Sequence, residues 1–421
     1  MTARRGARRP DGGHRVAVTG IGVKTPAGNE VQEAYETVLK ARPTASVSEL
    51  LTARGVSVRI ACLVPPFDVE SYLTRRELRQ IDRAATLLLC AASDAVASAG
   101  FADCGGLSPE RVGVQIGTGM GGLASMEQVT TDHWDSPGDL PVHTVPRTMA
   151  NSAASRLALR YGYQGSCTTY SSACASGTTA IGEAARRIRH GELDAALAGG
   201  VDAPVTTVIV GAFAKMRAMS ARNGEPGLAS RPFDTDRDGF VMAEGAAVLV
   251  LERWESALAR GATVLGEVAG YADNCDAFHI VAPIEDGGTA ARCMRRAVAD
   301  AGLAPADIGH VNAHGTSTVL NDRAEARAIE RVFGAGTLPV TAMKGVTGHL
   351  IGGSGALEAA LGLLCAARGE VPPIANLRSS PEAALVDLVR SAPRRIPPGR
   401  PVLSNSFGFG GQNASLVLTP A

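Results

Sequence analysis

The chain has 421 residues, 45% apolar and 19% charged, with 41 basic residues against 41 acidic ones. That is enough apolar material for a large core, and no charge excess that would hold nucleic acid. No run approaches the roughly 18 apolar residues of a membrane-spanning helix, and the arginine-rich start lacks the apolar stretch of a signal peptide. The expectation is a cytoplasmic protein, without membrane or nucleic-acid partners, whose residues 1–14 form a disordered tail.

In chain order, the run RVAVTGIG from Arg15 to Gly22 is short, apolar and closed by glycine, the pattern of a buried strand. Residues 77–99 read as a helix, and VGVQIGT at 112–118 as a second strand. The next helix, after Cys174 in TTYSSACASG (168–177), has no clear polar face: Ala175, Gly177, Ala180, Ile181, Gly182, Ala184 and Ala185 wrap most of its circumference. Such a helix is buried on every side, and its small residues let two layers approach its backbone. Strands follow at 193–200 and, in the second part of the chain, at 308–315, with a helix at 288–301 between them. The segments 239–253 and 401–420 each suggest paired strands. A second all-round apolar helix at 348–367 (GHLIGGSGALEAALGLLCAA) matches the first in composition. Strand and helix alternation predicts an α/β fold with largely parallel sheets. The twin helices suggest a duplication, with halves at 15–261 and 262–421.

Eight cysteines occur with no CxxC pair and no metal-ligand spacing, so neither a disulfide framework nor a metal site is indicated. Seven read as small buried hydrophobes. Cys174 stands apart: at the entry to a buried helix its sulfur faces unsatisfied N–H groups and the positive dipole end, which favour a thiolate. Two histidines sit at comparable crossings, His314 at the end of the strand IGHVNAH and His349 at the start of the second buried helix. His14, His133, His143, His190, His279 and His310 lie in polar or loop contexts and read as solvated. The glycines of SFGFGGQN (406–413) fit a hairpin turn that aims a backbone N–H at a developing oxyanion. Lys344 lies in an apolar loop and, if buried, requires carboxylates, for which Asp322, Glu325 and Glu358 are candidates.

Cys174 in SSACASG, His314 in NAHGTST, Lys344 and His349 in KGVTGHLIGGSGALE, and GFGG at 408–411 together resemble the β-ketoacyl-acyl carrier protein synthases, from about Arg15 to Leu418. The resemblance implies a thiolase-like fold, five layers αβαβα from two duplicated halves, working as a homodimer or as a heterodimer with a chain-length-factor subunit. It implies Cys174 as acyl-accepting nucleophile, with the N–H groups of Cys174 and Phe409 as oxyanion hole. His314 and His349 then bind the malonyl thioester and its enolate, while Lys344 supports them, held by Asp322, Glu325 and Glu358. Thr316 and Thr318 are expected to meet the phosphopantetheine arm, and Met120, Phe213 and Thr144 to line the acyl channel. Arg76, Arg79 and Arg217 are expected to meet the acyl carrier protein. No cofactor is expected on the enzyme beyond the arm that the carrier brings.

Departures from the family pattern are Gln412 after GFGG, where threonine is usual, and His143-Thr144 where fatty acid enzymes carry aromatic residues. The second is expected to open the pocket and leans the reading toward type II polyketide or polyene biosynthesis, with fatty acid elongation as the alternative. A thiolase would need a second reactive cysteine, and neither Cys293 nor Cys365 lies in a suitable turn. A non-catalytic chain-length partner would lack Cys174.

Overall fold

The computed structural model describes Arg9 and residues 11–421. The first half runs β1 (Val16–Lys24), α1 (Arg83–Ala99), β2 (Val112–Gly117), α2 (Ser152–Tyr161), β3 (Cys167–Tyr170), α3 (Ser176–Arg189), β4 (Ala195–Asp202) and β5 (Gly245–Arg253). The second runs β6 (Gly266–Cys275), α4 (Gly288–Asp300), β7 (His310–Asn312), α5 (Val319–Phe333), β8 (Pro339–Thr341), α6 (Ser354–Arg368), β9 (Asp387–Leu388), β10 (Val402–Gly408) and β11 (Gln412–Pro420).

Strand order shows the repetition directly. The first sheet is ordered β3-β2-β4-β5-β1 and the second β6-β11-β10-β7-β8-β9. In the first, β5 is antiparallel to both β1 and β4, while β2 is parallel to β4 and β3. In the second, β11 is antiparallel to β6 and β10, while β7 is parallel to β10 and β8. The same path is traced twice, with β9 added at the far edge. The sheets are mixed rather than largely parallel, because each half ends by returning antiparallel strands beside its first strand. The two sheets meet at one corner, where Ala17 and Val18 of β1 pair with Glu267 and Gly266 of β6.

Five layers result. Helices α1 and α2 cover the outside of the first sheet, α4 and α5 the outside of the second, and α3 and α6 lie between the sheets. Three hydrophobic clusters fill the spaces: one in each outer interface and one around the middle layer. The middle layer is thin because its helices are small-sided. A Cβ on Gly177 of α3 would sit 3.0 Å from the backbone nitrogen of Ala356 and 2.6 Å from the carbonyl oxygen of Gly352, the latter too close for close-packed atoms without a backbone shift.

Several expectations need correction. The helix expected over 77–99 is split: a short helix, Arg75–Leu78, precedes α1, whose start is fixed by Asp82 accepting the Ala84 N–H at 2.8 Å. Residues 239–253 hold a single strand, β5 (Gly245–Arg253), and before it a crossing segment in which Met242 bridges to His349. The hairpin over 401–420 is present as β10 and β11. The disordered tail does not extend over Arg9 and residues 11–14. Arg9 donates to the carbonyls of Ala269 and Asp300, and buried His14 donates its backbone N–H to Arg189 and lies 3.3 Å from Glu255. Residues 1–8 and 10 of that tail lie outside the described residues. Cys167 and Cys275 are exposed rather than buried, since β3 is an edge strand and Cys275 ends β6. No helix among the described residues is long and apolar enough to cross a membrane.

Candidate active site

Cys174 occupies a single tight turn, Ala173–Ala175, between β3 and α3. Ala173 adopts φ +49°, a left-handed conformation costly to a residue with a Cβ. The turn is held by the Ser176 hydroxyl, which accepts the Ser172 N–H at 2.9 Å and donates to the Ala173 carbonyl at 2.6 Å. Against it lies the β10–β11 turn. Gly408 makes that approach possible: a Cβ there would be 2.6 Å from the Ser172 carbonyl oxygen and 3.1 Å from the Cys174 nitrogen. Gly410 and Gly411, at φ +82° and +76°, then reverse the chain. The backbone N–H groups of Phe409 and of Cys174 itself lie near the thiol and favour its ionised form.

Cys174 is only 9% exposed, and burial pushes its thiol up to about 11, although Lys344 and the two N–H donors pull in the other direction. The helix start therefore does not hold a resting thiolate, as the sequence suggested; desolvation outweighs the partial charges of the turn.

The two histidines come from the other half. Sγ of Cys174 and a ring nitrogen from each of His314 and His349 lie within 4.8 Å of one another, and the imidazoles pack edge to face with centroids 5.4 Å apart. Burial, with Lys344 adding to it, drives both imidazoles well below the ordinary histidine range, so they are neutral. His314 follows β7, and its backbone N–H and that of Gly315 donate to the two oxygens of Glu325 at 2.8 and 2.9 Å. His349 is pinned across the halves: its N–H donates to the Val241 carbonyl at 2.8 Å and its carbonyl accepts the Ala243 N–H at 2.9 Å. Phe240 and Phe407 pack on the edges of His349 and His314.

Lys344 is buried, and its three N–H donors have three acceptors: the His314 carbonyl at 2.7 Å, His314 Nδ1 at 3.2 Å and Glu358 Oε1 at 2.5 Å. Of the three acids expected to hold it, only Glu358 touches it. Glu325 fixes the His314 loop instead, and Asp322 accepts the Phe233 N–H at 2.7 Å and faces Arg237. Burial raises the carboxyls of Glu358 and Glu325 to about 7 and that of Asp322 to about 6.

These groups open on a cavity of about 270 Å³, mostly apolar, lined also by Phe213, Thr316, Thr318, Ile351 and Phe409, with exposed Arg217 at its edge. The Thr316 and Thr318 hydroxyls lie 2.8 Å apart. Met120 and Thr144 do not line it. The Met120 N–H is bonded to Asp202 at 2.9 Å, and the Thr144 hydroxyl turns back to the Pro141 carbonyl at 2.7 Å, in a segment whose neighbours Val142 and Val145 are exposed. Arg76, within the short helix Arg75–Leu78, and Arg79, which caps its end, are both exposed. The sequence reading missed Asp202, whose fully buried carboxylate also takes the N–H groups of Gly119 and Gly352 and the Thr118 hydroxyl. It ties the loop after β2 to the turn before α6. A lone acid closing an apolar strand was the available signal, since a buried charge demands several donors.

A thiol served by two backbone donors, facing two neutral imidazoles at the junction of duplicated α/β halves, defines a thiolase-like acyl-transfer enzyme. Residues 13–257 match the family model for the beta-ketoacyl synthase N-terminal domain, and residues 265–378 that for the C-terminal domain. The chain belongs to the β-ketoacyl synthase family, which are acyltransferases. It is 40% identical to 3-oxoacyl-[acyl-carrier-protein] synthase 2 of Synechocystis sp. over 96% of this chain and 97% of that one. It is 39% identical to the protein of the same name from Vibrio cholerae, over 96% and 98%. Among solved structures, a beta-ketoacyl synthase from Burkholderia phymatum superimposes with a TM-score of 0.90 at 35% identity, over 97% of this chain and 100% of that one. A type II polyketide synthase ketosynthase, solved as AntDE:AntF with its acyl-carrier protein and a bound hexaketide, gives 0.90 at 30% identity over the same shares. The ishigamide ketosynthase/chain length factor gives 0.89 at 33%, again over 97% and 100%.

Proposed function

We propose that the chain extends carrier-bound acyl groups by decarboxylative condensation with malonyl-acyl carrier protein. The observation that carries the reading is the convergence, within 4.8 Å, of Cys174 Sγ and the two neutral histidines, with the Phe409 and Cys174 N–H groups beside the thiol. Sγ attacks the acyl thioester, whose oxygen takes the negative charge and the N–H bonds of Cys174 and Phe409. The acyl group stays on sulfur, and the proton lost from Cys174 balances the one gained by the departing pantetheine thiol. Malonyl thioester then loses carbon dioxide, and the electron pair of the broken C–C bond moves to the carbonyl oxygen as an enolate. Hydrogen bonds from His314 and His349 stabilise that charge, which suits imidazoles that are neutral donors. The enolate carbon attacks the acyl-cysteine, and Cys174 leaves as a thiolate that takes a proton from water, which balances the negative charge of the consumed malonyl carboxylate. Lys344 donates to His314 Nδ1, which leaves Nε2–H as that ring's donor.

The relatives at 39 and 40% identity favour fatty acid elongation over the polyketide or polyene pathway. The pocket argument for the latter rested on Thr144, which lies away from this chain's cavity. Similarity to a polyketide ketosynthase and to a ketosynthase/chain length factor supports the second reading. The units of the fold are the halves 15–261 and 262–421, and the partners are an acyl carrier protein, approached by Arg217, Arg76 and Arg79, and a second ketosynthase-fold subunit. Exposed Trp134, Val142, Val145 and Leu159 support such a partner. The phosphopantetheine arm is expected to pass Thr316 and Thr318. Incubation with acyl- and then malonyl-carrier protein tests the reading by mass spectrometry. An acyl adduct on Cys174 and a product longer by two carbons are expected; a chain that gains neither is not a condensing enzyme.

A further inference from the structure

His314 owes its orientation to Lys344, but Lys344 makes no hydrogen bond to His349. The group at His349 Nδ1 is the hydroxyl of Ser354, 3.0 Å away and 1% exposed, at the first position of α6. A serine at a helix start ordinarily serves the helix's own N–H groups. This one turns backward, and its oxygen accepts the N–H of Leu350 at 2.9 Å.

The satisfaction of that hydroxyl decides the tautomer. With one lone pair engaged by Leu350, the oxygen still carries a proton that needs an acceptor, and Nδ1 of His349 is the acceptor in reach. A buried hydroxyl proton left without one is costly, whereas a neutral imidazole nitrogen accepts it readily. If the ring donated from Nδ1 instead, the serine proton would be stranded and a lone pair would face the cavity where a donor is required.

We infer that Ser354 is a positioning residue that locks His349 with its proton on Nε2, so that the ring donates to the oxygen of the reacting thioester. The inference rests on the condensing reading for its kinetic consequence but not for the tautomer. Each histidine thus has its own relay from behind: an amine for His314, a hydroxyl for His349. Because the hydroxyl of Ser354 bonds His349 and Leu350 and not Cys174, its removal touches the decarboxylation half of the reaction and spares acylation.

The test uses full-length protein labelled with nitrogen-15 histidine, with the His349 ring assigned by its loss in His349→Asn. The wild type should show Nε2–H at His349. Ser354→Ala should mix the two tautomers, lower malonyl-carrier decarboxylation about tenfold, the order of one lost hydrogen bond, and leave self-acylation of Cys174 within about twofold. Ser354→Thr, which keeps the hydroxyl, should restore the tautomer and most of the rate. A proton on Nδ1 in the wild type overturns the inference whatever the variants do, as does an unchanged decarboxylation rate in Ser354→Ala. A wild type that neither self-acylates nor decarboxylates removes the condensing reading instead, and the tautomer still decides the role of the hydroxyl.

Discussion

At the residue scale, the thiol and the imidazoles are prepared in opposite ways for use at neutral pH. Burial holds Cys174 protonated, with its pKa raised to about 11, so its alkylation by iodoacetamide should rise about tenfold per pH unit from pH 7 to 10 without a plateau. Peptide mapping isolates it from exposed Cys167 and Cys275; a plateau near pH 7 at Cys174 contradicts the desolvated thiol. Cys174→Ala should abolish chain extension. His314→Ala and His349→Ala should each lower malonyl decarboxylation by about 10² to 10³, the loss of one positioned donor, while self-acylation persists. Decarboxylation at the wild-type rate in either variant removes that histidine from the chemistry.

At the element scale, the β10–β11 turn works only because Gly408 lets it press on the Cys174 turn. Gly408→Ala should push the Phe409 N–H away from the sulfur and slow self-acylation by about 10² to 10³, with the far-ultraviolet circular dichroism unchanged. Gly177→Ala should instead strike stability: overpacking costs typically about 1–3 kcal/mol, and the opposing atoms here are backbone, which cannot rotate aside. Urea midpoints measure it, and an unchanged midpoint means the middle layer is looser than its distances indicate. These elements also mark what the sequence could reveal. The nucleophile, both histidines and the twin buried helices were legible because small residues and strand ends leave a local pattern. The partner of Lys344 was not, since three acids at 322, 325 and 358 look alike until the fold decides which one faces the amine. His310 was misread as solvated. In the strand IGHVNAH it alternates with Asn312 and His314, and that period of two places all three on one buried face. Ser354 carries no signal of its own in the sequence, since serine is common at helix starts, and Thr144 could be placed only relative to a cavity that distant segments build.

For the whole molecule, buried titrating groups pull stability in two directions. His310 is 0% exposed, with neither ring nitrogen hydrogen-bonded, and burial drives it down to about 3. Its folded pKa lies below the unfolded value of about 6.5, so the unfolded chain takes up the proton first. Stability from this residue is complete above about pH 6.5 and is lost as pH falls toward 3. The raised carboxyls of Asp202, Asp322, Glu325 and Glu358 act oppositely: their contribution is complete below about pH 4 and is lost as pH rises through 6 to 7. His310→Phe isolates the first effect. Its stability relative to wild type should grow by about 1 kcal/mol for each pH unit between 6 and 4, read from urea unfolding. A constant difference across that range shows that His310 has a partner in solution.

The two middle helices also set an order of events during synthesis. Helix α3 is translated roughly 180 residues before α6, an interval of about 10–40 s at ordinary elongation rates. Throughout it the small-residue face of α3 has no second layer to cover it, and the β1 edge that will meet β6 stays open. The emerging chain is thus a natural client for a holding chaperone at the ribosome. A polypeptide stopped after residue 261 is expected to accumulate in the insoluble fraction unless the remaining half is co-expressed. In the proposed chemistry the thiol is made first, yet it stays idle until the last strands close behind it, which keeps acyl groups off an unfinished enzyme.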